Sequence, residues 1–405
     1  MTPRRVAFFT DSFHEVNGVA LTSREFVRFA RRRSIPLLSV HAGATTRTAY
    51  QGSILTFEFD RGPVRWTLEK DLAIDFLSLR HRRRLTAVLK EFQPDLIHIT
   101  GPGDAGILGA LAAWQLKVPL AASWHTNLHE FAGRRLARFL SALPDAVRSR
   151  TVDLAERVAL DRCLWFYGLA KVLFAPNPEL VELLGHRTGK PAFLMARGID
   201  TELFSPERRI RQDDAFVIGY VGRLSPEKNV RMLVDLDRSL ASAGMRNYRF
   251  LVVGDGSERP WLRSVLPNAE LPGILRGEEL AAAYASMDAF VFPSFTDTFG
   301  NVVLEAMASG VPAVVASGGG PKFLVQNGAT GYVASDLGEF SRAILQLYRD
   351  PHQRSEMAKQ ARDSVQRFSW NSVFEQVYGG YDACFENPLR SRSASRFLPG
   401  TAHSV

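Results

Sequence analysis

Residues 290–320, FVFPSFTDTFGNVVLEAMASGVPAVVASGGG, compress a strand, a loop, a helix and a second strand into one short stretch. An apolar run ends at Pro293-Ser294, and an acid, Asp297, follows in the loop. Phe299-Gly300-Asn301 supplies backbone N–H groups where the helix begins. A second acid, Glu305, stands on that helix eight positions after Asp297, and a small-residue turn leads into the strand Val311–Ala316. Apolar strands separated by helices imply right-handed crossovers and a parallel sheet. Such a sheet binds ligands at the carboxyl ends of its strands. Helix N-termini favour phosphate there, and carboxylates suit sugar hydroxyls.

The alternation extends along the chain. Arg5–Thr10, Pro36–His41, Leu96–Thr100, Pro119–Trp124, Val172–Ala175 and Ala192–Met195 read as strands. Helices at about Leu21–Arg33 and Ala105–Gln115 separate some of them. A second series holds Phe216–Val221, Arg249–Val253, Leu271–Leu275, Ala289–Pro293 and Val311–Ala316. The expected organisation is α/β, with two doubly wound Rossmann-like domains facing across a cleft. The first spans 1–196, a polar linker 197–214, the second domain 215–367 and a final helix 368–386. The Ser/Arg/Pro-rich tail, 387–405, is expected to be disordered.

At 405 residues, with 46% apolar and 23% charged, the chain has ample length for two cores. Its net charge of +8 is unevenly spread: residues 1–200 carry 28 Lys/Arg against 19 Asp/Glu, and the remainder 22 against 23. Runs such as Arg31-Arg32-Arg33, His81–Arg84, Arg134-Arg135 and Arg148/Arg150 point to an anionic partner for the first half, and to a membrane surface before nucleic acid. No basic strand rich in aromatics, as single-strand binders use, is present. Two cysteines, Cys163 and Cys384, show no metal or disulfide spacing, which fits a reducing cytoplasm. The first residues do not read as a signal peptide, and the longest near-apolar run, Ala105–Leu116, is too short to cross a bilayer.

Four motifs offer chemistry. Gly222–Asn229 (GRLSPEKN) follows a strand and sets Arg223 and Lys228 five residues apart, suited to charge developing on a departing diphosphate. Asp11–Val19 (DSFHEVNGV) ends the first strand, and its Asn17-Gly18 can bring backbone close to a ligand. Trp124–Asn127 (WHTN) places His125 at a strand end as a polar contact to a sugar. His125 and His129 have i, i+4 metal spacing, but no third ligand is evident. Asp235-Leu236-Asp237 falls within a predicted helix and reads as surface charge. Gly254-Asp255-Gly256 is a strand-ending turn.

Together with DLIHITGPG, ARGIDTELFSP, VVGDGSERPWL and the Phe368-Ser369-Trp370 helix start, these segments resemble the family-four retaining GT-B glycosyltransferases, from about Arg5 to Glu386. The wording of several motifs is similar to the branch with GDP-mannose-dependent α-mannosyltransferases and sulfoquinovosyl-diacylglycerol synthases. The resemblance implies that Arg223 and Lys228 hold the donor diphosphate and that Glu305, second acid of an E-x7-E pattern, binds the ribose. The first acid, Asp297 here in place of Glu, would contact the transferred sugar. Backbone N–H groups at Phe299, Gly300, Asn301 and Val302 would help. Gly18 would approach the β-phosphate, with Asn17 and Gly254 in the donor-side loops, and His125 would touch the sugar near the reacting carbon.

The expected function is therefore a cytoplasmic, membrane-peripheral hexosyltransferase without metal or cofactor. It would move mannose, or a hexose from a UDP-sugar, to a lipid or glycan hydroxyl. A sugar-nucleotide epimerase or hydrolase, and a non-catalytic nucleotide-sugar-binding protein, are the rival readings.

Overall fold

A computed structural model describes residues 4–15, 17–62, 65–69, 72–75, 78–127 and 145–386. Arg134-Arg135, His129 and the tail 387–405 lie outside the described residues. The strands are β1 (Val6–Thr10), β2 (Leu37–Gly43), β3 (Arg47–Gln51), β4 (Ile54–Asp60), β5 (Arg65–Glu69), β6 (Leu72–Asp75), β7 (Leu96–Ile99), β8 (Leu120–Ser123), β9 (Val172–Ala175) and β10 (Ala192–Leu194), then β11 (Phe216–Val221), β12 (Tyr248–Val253), β13 (Ala269–Gly273), β14 (Ala289–Phe292), β15 (Ala313–Ala316) and β16 (Gly331–Ala334). The helices are α1 (Gly18–Arg32), α2 (Arg82–Phe92), α3 (Asp104–Leu116), α4 (Asp145–Tyr167), α5 (Pro178–Thr188), α6 (Met232–Ser242), α7 (Arg259–Val265), α8 (Gly277–Ala285), α9 (Asn301–Ala308), α10 (Leu337–Arg349), α11 (Pro351–Val365) and α12 (Trp370–Gly380).

Two sheets result. The first runs β10-β9-β8-β7-β1-β2-β4-β3, parallel except for the β3–β4 pair. The second runs β13-β12-β11-β14-β15-β16, all parallel. Central strands such as VAFFT in β1 and AFVF in β14 are buried along their whole length, as sheets covered on both faces require. A third, two-stranded ribbon joins β5 to β6.

Several elements were not named in the sequence reading, the β5–β6 ribbon and β16 among them. The β3–β4 hairpin was not anticipated. Gly52, at φ 61°, makes its tight turn, and ILTFEFD then pairs in parallel with β2 without an intervening helix. Helix α4, 23 residues long, was also not anticipated. Apolar residues surround it on several sides, so no single stripe marks it in the sequence. Helix α1 starts at Gly18 rather than near Leu21, because the Asn17 side chain caps it by accepting from the Ala20 N–H at 2.8 Å.

The last helix returns to the first sheet's side of the molecule. Ile199 N–H donates to Phe368 O at 2.8 Å where the linker passes the chain leaving α11. A Cβ on Gly198 would stand 2.5 Å from the Trp370 ring, so only glycine fits under that indole. Beyond it, Phe374 packs against Phe26 and Phe29 of α1, with ring centroids 5.0 and 5.6 Å apart. Arg33 pairs with Glu375 at the rim. Phe374 is fully buried, so Phe374→Ala should cost about 3–5 kcal/mol. Urea unfolding monitored by circular dichroism checks this; a loss under about 1 kcal/mol would mean that α12 does not anchor the first domain.

Candidate active site

Each sheet reverses its winding beside its first strand, between β1 and β7 in one and between β11 and β14 in the other. Loops from the carboxyl ends of adjacent strands diverge there and leave a crevice. The four loops at these points, 11–17, 101–103, 222–229 and 293–300, carry most of the motifs picked from the sequence. Contacts between the domains bring the two edges together. Thr298 Oγ1 donates to His125 O at 3.0 Å, Asn177 Nδ2 donates to Thr298 O at 2.7 Å, and Lys322 pairs with Glu179 at 2.6 Å. A Cβ on Gly18 would lie 3.3 Å from the Asn301 amide, so the first domain's Asn17-Gly18 turn faces the start of α9.

In the second domain, Lys228 Nζ donates to both Asp297 oxygens, at 2.7 and 2.8 Å. The expected phosphate-binding cation and the expected sugar-binding acid thus hold each other across the β11–β14 switch point. Arg223, more exposed, has Nη1 4.0 Å from Glu227, whose carboxylate also accepts from Ser225 Oγ at 2.5 Å. Asn229, at φ 54°, donates from Nδ2 to Pro293 O at 3.3 Å and ties the two loops together. Gly254 is a spacer for the same loop: at φ 136°, its Cβ would come within 1.9 Å of Gly222 O. Gly300, at φ 98°, turns the chain into α9, so that Asn301 and Val302 open the helix and Phe299 is buried beneath.

Glu305 is partly enclosed on α9, and Tyr284 donates to its Oε2 at 2.7 Å. Burial pushes its carboxyl up to about 7, with the tyrosine hydrogen bond acting in the opposite sense. Asp11 is likewise pushed up to about 6 by burial, although it accepts from Ala105 N–H at 2.9 Å and Gly103 N–H at 3.2 Å. Sequence reading named the loop but not this role: the carboxylate holds the start of α3.

His125 is buried in a chain of hydrogen bonds whose direction is fixed at one end. A guanidinium only donates, so Arg197 Nη2 donates to His125 Nδ1 at 2.6 Å. His125 is then protonated on Nε2, which donates to Ser123 Oγ at 2.6 Å. Ser123 Oγ also lies 2.9 Å from His98 Nε2, and His98 Nδ1 lies 2.5 Å from the Tyr381 hydroxyl. Burial, then the facing Arg197 charge, then His98 hold His125 well below the usual histidine range. Burial alone lowers His98 to about 3 and Arg197 to about 10. Both ring nitrogens of His125 are therefore engaged within the protein, and a ring contact to a sugar would exchange one of these bonds. Arg197 Nη1 is buried with no hydrogen-bond partner among the described residues. Sequence reasoning assigned no role to Arg197, Ser123, His98 or Tyr381: the first three lie in segments named above, but most of the chain's members are far apart in sequence.

Among the described residues, His14, His41 and Glu58 form the group with metal-ligand atoms within 4.8 Å of one another. Glu58 already pairs with Arg47 and, at 3.3 Å, with His14. On α6, Asp237 accepts from Tyr248 at 2.8 Å and Asn268 at 3.0 Å, and Asp235 faces Arg238 at 3.5 Å, so both aspartates serve the helix surface.

Residues 16–203 match the family described as Glycosyltransferase Family 4, and residues 215–350 match Glycosyl transferases group 1. A GDP-mannose-dependent alpha-mannosyltransferase of Corynebacterium glutamicum is 30% identical over 392 residues, covering 94% of this chain and 89% of that protein. The chain belongs to the family-four glycosyltransferases. Sulfoquinovosyl transferase SQD2 of Arabidopsis thaliana is 28% identical over 401 residues, covering 93% of this family member and 72% of that protein. Sucrose-phosphate synthase from Thermosynechococcus elongatus superposes with a TM-score of 0.70 at 20% identity, over 94% of this chain and 99% of that one. The glycosyltransferase thus has the two-domain GT-B fold.

The environment of Glu305 gives a signed pH effect. Its folded pKa lies above the usual carboxylate value, so the folded protein keeps this proton longer than the unfolded chain. Between pH 4.5 and 7 this residue's contribution to stability falls as pH rises. Glu305→Gln should therefore gain on the wild-type glycosyltransferase by roughly 1–3 kcal/mol between pH 4.5 and 8 in urea unfolding. A stability difference independent of pH would refute the shift.

Proposed function

We propose that this glycosyltransferase moves mannose from GDP-mannose to a lipid or glycan hydroxyl, with retention of anomeric configuration. The observation that carries the reading is the clustering of Arg223, Lys228, Asp297 and Glu305 around one switch point, with Lys228 bonded to Asp297 at 2.7 Å. That pair keeps both charges compensated within the protein. On donor binding, the diphosphate would draw Lys228 and Arg223, and Asp297 would be released to accept from sugar hydroxyls. Glu305 would accept from the ribose. The N–H groups opening α9 at Asn301 and Val302, with Gly18 opposite, would approach the phosphates.

The chemistry follows from this layout. The bond between the anomeric carbon and the diphosphate breaks, and its electron pair leaves with the phosphate oxygen. The acceptor hydroxyl bonds to that carbon from the same face, and its proton passes to a phosphate oxygen. Arg223 and Lys228 stabilise the charge gathered on the leaving diphosphate. In this reading, Arg197 and Ser123 hold the His125 ring in one orientation beside the reacting sugar.

The mannosyl reading is supported by the 30% identity to a GDP-mannose-dependent enzyme across nearly the whole chain. A UDP-sugar donor is the second reading, favoured by the 28% identity to a sulfoquinovosyl transferase; Asp297 in place of the family's first Glu bears on which sugar is held. A lipid acceptor would place the enzyme on the inner face of a membrane. No helix among the described residues is long and apolar enough to cross one, so contact through those helices would be peripheral.

Calorimetric titration with GDP and UDP in EDTA separates the donors: tighter GDP binding is expected, and tighter UDP binding would shift the reading to the second donor. Lys228→Ala should lower kcat by about 10²–10³, and near-normal turnover would remove it from the diphosphate site. Asp297→Glu should keep activity while Asp297→Asn loses most of it. An Asn variant at full rate would mean that Asp297 only holds Lys228.

A further inference from the structure

Helix α4 has apolar residues on two opposite sides. Leu164 and Tyr167 turn toward the sheet and are 5% and 3% exposed. Leu154, Val158 and Trp165 turn away and are 60%, 50% and 66% exposed. At 100° per residue these three fall within a stripe about 40° wide. Leu169, just past the helix end, is 50% exposed.

Basic residues frame this stripe. By the same helical spacing, Arg150 and Arg157 fall on one side of it and Arg162 on the other, all three exposed. The nearby acid, Asp161, is paired with Arg187 at 2.6 Å. Helix α3 lies on the same face of the sheet, because β7–α3–β8 and β8–α4–β9 are successive crossovers of one hand between parallel neighbours. It exposes Trp114 by 78% and Ile107 by 38%.

We propose that this face of the first domain is the docking surface for an anionic lipid bilayer. Leu154, Val158 and Trp165 would enter the boundary between headgroups and acyl chains, with the arginines at the headgroup phosphates. An apolar stripe on a helix lying flat, with arginines beside it and indoles at the margin, suits that boundary. A second copy is the poorer occupant, because a two-fold contact through this stripe sets Arg150, Arg157 and Arg162 against their own counterparts. The excess of positive charge in residues 1–200 points the same way. This surface rests only on the membrane-peripheral part of the proposed function and is independent of the donor.

The test is co-sedimentation of the full chain, without donor or acceptor, with phosphatidylcholine vesicles that contain or lack phosphatidylglycerol. We expect binding that favours phosphatidylglycerol and weakens several-fold in 0.5 M salt without vanishing. The triple variant Leu154→Ser, Val158→Ser, Trp165→Ser should bind at least about tenfold more weakly, with melting temperature and nucleotide affinity unchanged. The triple variant Arg150→Ala, Arg157→Ala, Arg162→Ala should lose the preference for anionic lipid. Should the serine variant fold poorly, Trp165→Phe supplies the reading: quenching of tryptophan emission by brominated lipid should fall relative to wild type at equal vesicle binding. Undiminished vesicle binding of a folded serine variant, or unchanged quenching in Trp165→Phe, would overturn the proposal. So would a concentration-dependent dimer in sedimentation velocity that the serine variant abolishes, which would give the face to a second copy. Loss of nucleotide binding with vesicle binding intact would count against the donor reading alone.

Discussion

Parallel strands joined by crossovers of one hand all point their carboxyl ends the same way. This constraint governs both halves of the protein. It gathers the strand-ending loops at one edge of each sheet and opens a gap where the winding reverses. The two edges meet, so Gly18 and His125 of one half stand against Asn301 and Thr298 of the other. The glycines in these loops are there for proximity. Gly254 lies against Gly222 O, and Gly198 lies under Trp370, where no side chain fits.

Compensated charge characterises the second domain's side of the cleft. Lys228 is held by Asp297, and the raised Glu305 carboxyl accepts from the Tyr284 hydroxyl. A ligand that brings two phosphates and several hydroxyls can exchange with these internal partners, which limits the cost of leaving a buried charge bare. Arg197 is the exception: it is buried, with one terminal nitrogen bonded to His125 and the other without a hydrogen-bond partner among the described residues. That residue opens the segment 197–214, and its bond to His125 joins this segment to the end of β8.

The chain Arg197–His125–Ser123–His98–Tyr381 ends just beyond the crossing helix. The C-terminal segment is therefore part of the first domain's interior, locked by Phe374 against Phe26 and by Tyr381 against His98. It ties the orientation of a cleft histidine to a helix that comes after the whole second domain in the chain. The pairing of Arg33 with Glu375 and of Arg4 with Asp382 continues this contact to the surface.

The sequence by itself determined the class of fold and most of the cleft loops. Short buried runs such as VAFFT, FVIGYV and AFVF, each followed by a Gly-, Asn- or Asp-rich turn, carry strand period and loop position locally. The spacing of Arg223 to Lys228 and of Asp297 to Glu305 is likewise written along one stretch. Hairpin β3–β4 and helix α4 were not read, because paired edges and a helix with apolar residues on opposite sides give no single periodicity. Only the tertiary structure decided that Lys228 bonds to Asp297, that Tyr284 bonds to Glu305, and that both His125 nitrogens are taken by Arg197 and Ser123. Apart from Ser123, two residues before His125, these partners lie 21 to 72 residues apart, and their meeting depends on crossovers and domain contact that no local pattern records.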